Sequence, residues 1–370
     1  MSELYLGLMS GTSMDGVDAV LCEFDDSRFV RVAHSQAGSY PATLRTELLR
    51  LQRERSAITL ATLARLDHAV AQCFARVART LLKRARVVPA QVRGVGSHGQ
   101  TVFHDPKGVR SSLQLGDPSA IAAATGIATV ADFRRADIAR GGQGAPLVPA
   151  FHHAVFADAH EPRCVLNLGG IANVTVLPDA DASRVRGFDT GPASGLMDEW
   201  ISARRGLPYD AGGRWAATGA THDVLLEALI SEPYFRRKPP KSTGRDVFNT
   251  AWLRRRFPRL RTLRPQDVQR TLADLTVRSV ADAIRAHAPV TRRVLVCGGG
   301  VNNPLLMGSL ALELAGMTVE TTSKHGLDPQ HVEAAAFAWL AMRTLNGLSG
   351  SLPAVTGATR AAVLGGIYRA

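Results

Sequence analysis

Apolar positions along this chain follow two rhythms, and the two rhythms occur in the same order twice. A short β-like run from Leu4 to Met9 is followed by a polar, glycine-containing turn and a second run from Val17 to Phe24. Short apolar runs separated by Gly, Ser and Asp read as strand, turn, strand. Half a chain later the pattern returns as Cys164 to Leu168, a turn around Gly169-Gly170, and Val174 to Leu177. The second rhythm places Leu60, Leu63, Leu66, Val70, Phe74, Val77 and Leu81 three or four residues apart, with Arg65, Gln72, Arg76, Arg79 and Lys83 opposite. That spacing predicts a helix with one buried face. Its counterpart opens at Pro265 and repeats through Val268, Leu272, Leu275, Val280 and Ile284. Each helix leads into a β-like run that ends in small residues: Val92 to Val95 before Gly96-Ser97-His98-Gly99, and Val294 to Cys297 before Gly298-Gly299-Gly300.

Two copies of one α/β domain facing each other over a cleft satisfy this pattern most simply. The expected boundary gives domains 1–155 and 156–370, with the C-terminal segment able to pack back on the first domain. A length of 370 residues at 45% hydrophobic composition fits two cores better than one. The four cysteines stand far apart with no C-x-x-C pair, which excludes a sulfur-rich zinc site and reads as reduced core residues. The formal charge of +12 is carried by scattered arginines with little aromatic interleaving. Solvated basic faces, with a polyanionic small substrate such as ATP, account for it better than nucleic-acid binding. The first residues carry no basic leader, and no run reaches the roughly 18 apolar residues of a membrane span, so a cytoplasmic protein is expected.

The chemistry is concentrated in the glycine turns. Gly11, Thr12, Ser13, Met14, Asp15, Gly16, Val17 and Asp18 lack the lysine of a P-loop. Glycine backbone and hydroxyl donors suit a phosphate all the same, and Asp15 or Asp18 would then sit near Mg²⁺; a merely polar hairpin turn is the alternative. Gly169, Gly170 and Asn173 form the second turn, and Gly298, Gly299, Gly300 and Asn303 offer exposed backbone for adenine or ribose. Asp189, just before a helical stretch, is the candidate general base, although an Asp there is also a common helix cap. Arg134 or Arg135 suits a substrate carboxylate, and His98, Gln100 and His104 suit a sugar pocket. His152-His153 read as strand neighbours on opposite faces, so no metal pair is expected there.

GTSMDGVD at 11–18, GSHGQTVFH at 96–104 and ADFRRADIARGGQGAPLVP at 131–149 form an ordered series. It continues with NLGGIAN at 167–173, FDTGP at 188–192, PKSTGRDVFN at 240–249, EAAAFAWLA at 333–341 and LPAVTGATR at 352–360. The series resembles the anhydro-N-acetylmuramic acid kinase family nearly end to end. That resemblance implies duplicated ribonuclease-H-like, actin-like ATPase domains flanking a central nucleotide cleft. It implies ATP and Mg²⁺ as cofactors, 1,6-anhydro-N-acetylmuramic acid as substrate, a role in peptidoglycan recycling, and a homodimer. By carry-over Asp189 matches the catalytic aspartate and Glu333 an acidic position near the sugar. The chain departs from the family after FDTGP, where Gly-Asn is usual and Ala193-Ser194 stands here; a glycine needed for positive φ would leave Ala193 strained. Another sugar kinase of the same fold, or a nucleotide sensor without turnover, are the competing readings.

Overall fold

The computed structural model describes residues 2–11, 14, 16–53 and 58–370. They gather into two compact units, Met1–Val155 with His331–Ala370, and Phe156–Gln330. Among the described residues no helix is long and apolar enough to cross a membrane.

The first unit contains β1 (Glu3–Met9), β2 (Gly16–Asp25), β3 (Arg28–Ser39), β4 (Val92–Ser97), the ribbon strands β5 (Gln100–Asp105) and β6 (Ser111–Leu115), and β7 (Thr129–Ala131). The second contains β8 (Arg163–Leu168), β9 (Ile171–Leu177), β10 (Arg186–Pro192), β11 (Arg293–Cys297) and β12 (Thr318–Thr321), and β13 (Gly366–Tyr368) returns to pair with β7. The main sheets run β13-β7-β4-β1-β2-β3 and β12-β11-β8-β9-β10. Apart from β13 the two orders match strand for strand, so the repeat seen in the apolar rhythm is a duplicated domain.

The long helices behave as their spacing predicts. Leu60–Ala85 buries Leu66, Val70, Phe74, Val77 and Leu81, and Pro265–His287 buries Val268, Leu272, Leu275, Val280 and Ile284. Each large side chain so buried contributes roughly 1.5–3 kcal/mol of transfer free energy. Leu60 differs: it is 85% exposed, because the apolar stripe reaches the sheet only after the first turn. His152 and His153 also differ, lying in the helix Val148–Phe156 and not in a strand. Leu147, Ala150 and Phe151 are buried at helical spacing, which overrides the short apolar run.

In each unit the first and fourth strands of the repeat are parallel neighbours, β1 with β4 and β8 with β11. Ser10-Gly11 and His98-Gly99 therefore leave one end of the first sheet, and Gly169-Gly170 and Gly298–Gly300 one end of the second. Loops at the carboxyl ends of parallel strands are where such sheets hold ligands.

The helix Val332–Leu345 lies directly on the first sheet because two facing glycines, Gly7 and Gly96, leave room for its backbone. A Cβ would fall 1.9 Å from the Ala334 carbonyl at Gly7 and 1.9 Å from the Phe337 carbonyl at Gly96. The alanines of EAAAFAWLA are the matching surface on the helix. Its first turn, which carries Glu333, is thereby fixed over the β1 and β4 strand ends.

Candidate active-site residues in each unit

In the first unit the turn after β1 is braced from below. Ser10 Oγ lies 2.6 Å from the Gly16 carbonyl and 2.8 Å from Gln100 Oε1, and Gln100 Nε2 donates to the Gly11 carbonyl at 3.2 Å. Gln100 is 1% exposed, so its amide shapes the turn from inside. Met14, at φ 52, buries its side chain, and Val17 joins the core. Gly16 admits no side chain: a Cβ would lie 2.4 Å from the Gly38 carbonyl. Asp18 is exposed on β2, opposite Met9 and Ala37. Thr12, Ser13 and Asp15 lie outside the described residues.

His98, Arg134 and Glu333 come together. Arg134 donates through Nη2 to His98 Nε2 at 2.8 Å and through Nη1 to the Gly144 carbonyl at 2.7 Å. Nε2 is therefore the acceptor and the imidazole is neutral, with burial and then the guanidinium holding its pKa down to about 3. The His98 ring packs on Phe337 at 4.6 Å, one turn along from Glu333. Burial lowers the Arg134 pKa to about 10, and the Glu333 charge opposes that shift. Asp132, at φ 60, turns the chain between β7 and this cluster; such a backbone in a non-glycine residue persists where its surroundings over-determine it.

A second layer holds the 141–146 loop. Buried Asp137 accepts the Gly144 N–H at 2.7 Å and the Thr356 hydroxyl at 2.7 Å, and the Gly144 carbonyl is the one that Arg134 uses. One residue, Gly144, thus links Asp137 to Arg134 through its N–H and its carbonyl. Asp137→Ala should cost about 2–4 kcal/mol, because Gly144 N–H and Thr356 Oγ1 lose a charged, buried acceptor. Urea denaturation checks this, and an unchanged midpoint would mean that the loop is held otherwise.

In the second unit Asp189 sits on β10 opposite Asn173 of β9, and the register breaks just beyond it. The helix that follows, Ser194–Arg205, has Ala193 at its N-cap, so Asp189 is a strand residue and not a cap. Its carboxylate accepts the Thr243 N–H at 2.9 Å, while its own N–H donates to the Lys241 carbonyl at 3.1 Å and its carbonyl accepts from Tyr234 Oη at 2.8 Å. Burial pushes the Asp189 pKa up to about 6, with the Thr243 N–H and the Lys241 charge pulling it back. Lys241 is itself buried, with Nζ donating to the Phe235 carbonyl at 3.2 Å, and burial lowers its pKa.

Gly169 and Gly170 meet the helix start, where Ser194 N–H donates to the Gly169 carbonyl at 3.1 Å and Gly195 N–H to that of Gly170 at 3.1 Å. A Cβ at Gly170 would lie 3.0 Å from Arg245 Nη2, and one at Gly195 2.8 Å from Arg245 Nε. Asp198, on the same helix, is pushed up to about 6 by burial against the pull of Arg245. Ala193 adopts φ −130, so the departure from the family pattern places no L-residue in the left-handed region. Gly298, at φ 80, and Gly300 press on Asn167 and Leu168, which brings this loop beside Gly169. Asn303 caps the helix Pro304–Glu313, its Oδ1 accepting from Leu305 and Leu306 N–H at 3.1 and 3.2 Å.

Asp137, Lys241, Thr243 and Arg245 are the residues that sequence reasoning did not single out. Each lies inside a quoted motif, ADFRRADIARGGQGAPLVP or PKSTGRDVFN, and that was the available signal.

The family described as anhydro-N-acetylmuramic acid kinase matches residues 3–370. The anhydro-N-acetylmuramic acid kinase of Xanthomonas campestris pv. campestris is 51% identical over 373 residues, covering 100% of this chain and 98% of that relative. That of Shewanella halifaxensis is 50% identical over 369 residues, covering 99% and 98%. Among solved structures, component A of the (R)-2-hydroxyglutaryl-CoA dehydratase of Acidaminococcus fermentans is similar with a TM-score of 0.50 at 10% identity, covering 93% of this chain and 99% of that one. The architecture is that of duplicated ribonuclease-H-like, actin-like ATPase domains.

Proposed function

Since the chain belongs to the anhydro-N-acetylmuramic acid kinase family, we propose that it converts 1,6-anhydro-N-acetylmuramic acid, ATP and water to N-acetylmuramic acid 6-phosphate and ADP, in cytoplasmic peptidoglycan recycling. The observation that carries this reading is the Asp189 carboxylate, held by the Thr243 N–H and pushed by burial to about 6. A base that is ionised at neutral pH yet more basic than an ordinary aspartate suits abstraction of a proton from water. Asp189 takes that proton as the water oxygen bonds to the anomeric carbon and the C1–O6 bond breaks. The released O6 then bonds to the γ-phosphorus and the bond to ADP breaks. Glu333, with Arg134 and neutral His98, orients the sugar, and Gln100 acts through the turn it braces.

For the nucleotide, Gly298 and Gly300 pack their backbone against Asn167 and Leu168 while a Cβ at Gly299 would meet nothing within 4 Å. A loop pinned on one side and open on the other suits close approach of a base or ribose, as the 169–170 and 11–18 turns suit phosphates. Among the described residues no three His, Cys, Asp or Glu could hold a metal ion together. Mg²⁺ would arrive with the triphosphate, where it would neutralise charge on the transferring phosphoryl group.

Gly299→Ala should leave the melting temperature within about 2 °C of wild type yet raise KM for ATP several-fold. Differential scanning fluorimetry beside ATP kinetics reads both, and an unchanged KM would remove this loop from the nucleotide site. The proposed activity is tested by incubating purified protein with Mg-ATP and 1,6-anhydro-N-acetylmuramic acid and identifying the sugar by mass spectrometry. Folded, ATP-binding protein that yields no phosphorylated sugar would contradict it.

A further inference from the structure

In the second unit the fold takes one ammonium out of water: Lys241 is 9% exposed. Its Nζ donates to the Phe235 carbonyl at 3.2 Å and to that of Tyr234 at 3.5 Å. The same Nζ lies 4.9 Å from the centre of the Tyr234 ring and 5.9 Å from that of Phe188. Carbonyls and ring faces hold an ammonium in place but carry no net charge, and a buried cation with no anion is strongly destabilising. The carboxylate that acts on it is that of Asp189, the residue after Phe188. Backbone bonds tie the same residues together. Asp189 N–H donates to the Lys241 carbonyl at 3.1 Å, the Asp189 carbonyl accepts Tyr234 Oη at 2.8 Å, and the Asp189 carboxylate accepts the Thr243 N–H. The 234–243 segment thus grips Asp189 at its N–H, its carbonyl and its side chain.

Resting on the function proposed above, we infer that Lys241 is a positioning residue for the base: its ammonium is the buried counter-charge of the Asp189 carboxylate, and its carbonyl fixes the strand residue that carries it. The other titratable or charged groups around the pair, among the described residues, are Arg186 on the same strand, Tyr234, Arg237 and Lys238 on the approach to Lys241, and His287 at the end of the helix Pro265–His287. Arg186, Arg237 and Lys238 are exposed, so water and salt screen them. The His287 ring stands edge-on to Phe188 at 5.3 Å, and burial and then the nearby cations hold its pKa below the ordinary value, so it is neutral at pH 7. Burial and then the Asp189 charge raise the Tyr234 phenol, which stays neutral too. Lys241 is left as the cation that acts from inside the protein. Replacing it with a neutral side chain leaves the Asp189 charge buried without a counter-charge, so the carboxyl keeps its proton to higher pH. The base would then be occupied over part of the range in which it has to accept a proton from water.

Two measurements test this on wild type, Lys241→Gln, which keeps a donor for the carbonyls and removes the charge, Lys241→Arg, which keeps the charge, and Arg237→Gln, which removes an exposed cation nearby. The first is the pH profile of kcat/KM with Mg-ATP and 1,6-anhydro-N-acetylmuramic acid. Lys241→Gln should move the acid limb up by about one pH unit, losing roughly fivefold at about pH 6 while staying within about threefold of wild type at about pH 8.5, with KM for the sugar little changed. Lys241→Arg should return the limb to within about 0.3 unit of wild type, and Arg237→Gln should not move it. The second is a cycle of melting temperatures at about pH 7.5. The change caused by Lys241→Gln should be about 3 °C more unfavourable in wild type than in Asp189→Asn. An acid limb that stays in place in Lys241→Gln overturns the inference and leaves the proposed function standing. Wild type that yields no phosphorylated sugar contradicts the proposed function. Where there is no activity to profile, the melting cycle decides, and equal changes in the two backgrounds overturn the pairing. Lys241→Gln that folds only together with Asp189→Asn supports the pairing, and failure to fold in either background overturns it.

Discussion

Asp189→Asn should lower sugar phosphorylation by roughly 10²- to 10⁴-fold, the range of a positioned general base, with ATP affinity retained. The amide keeps an oxygen for the Thr243 N–H, so the site is preserved and only the proton acceptor is lost. The pH profile follows from the same environment. The proposed base would act ionised, and burial pushes Asp189 up to about 6, so wild-type kcat/KM should fall tenfold per pH unit below about 6 and be level just above it. Stability should move the opposite way. The folded value lies above the ordinary 3.8, so the stabilising contribution is complete below 3.8 and lost as pH rises through about 6. At neutral pH wild type therefore carries a buried charge that the Asn variant lacks. Asp189→Asn should melt a few degrees higher at about pH 7.5, the advantage shrinking toward about pH 4. Activity and stability measured on one preparation separate this account from simple unfolding, which would lower both.

Gly96→Val should be the most damaging single change to the fold. The added Cβ would meet the Phe337 carbonyl at 1.9 Å, a backbone atom that no rotamer change removes, and Gly7 opposite it faces the same helix. To accommodate valine the helix Val332–Leu345 must lift from β1 and β4, opening the contact beneath Ala334, Phe337 and Ala341 and displacing Glu333. A cost above about 4 kcal/mol is expected, enough to leave most of the protein unfolded or insoluble. Circular dichroism and the soluble yield measure it. A variant that folds with a wild-type melting temperature would mean that the helix does not rest on these glycines.

Much of the scaffold was readable from the chain because its signals are local. The three-to-four spacing from Leu66 to Leu81 and from Val268 to Ile284 needs no knowledge of partners, since one buried face is written into one helix. The glycine turns likewise announce themselves where each apolar run stops. His152-His153 misled because a short apolar run with no flanking Gly does not distinguish strand from helix. The supports of the site escaped for a different reason. Thr243 meets Asp189 across 54 residues, and Thr356 meets Asp137 across 219, and no periodicity connects positions so far apart. Arg134 and Arg135 are adjacent letters with opposite surroundings, one buried between His98 and Gly144 and one half exposed. That difference is set by the loop that Asp137 holds, a tertiary fact.

The central claim, that one protein couples water attack at the anomeric carbon to phosphorylation at O6, is tested most directly in ¹⁸O-labelled water. Protein, Mg-ATP and 1,6-anhydro-N-acetylmuramic acid are mixed and quenched early, with N-acetylmuramic acid 6-phosphate incubated alongside to measure exchange at the anomeric position. One labelled oxygen at C1 of the phosphorylated sugar above that exchange, none in its phosphate, and no such product from Asp189→Asn is the predicted result. Label in the phosphate, or a phosphorylated sugar without label at C1, would contradict the account.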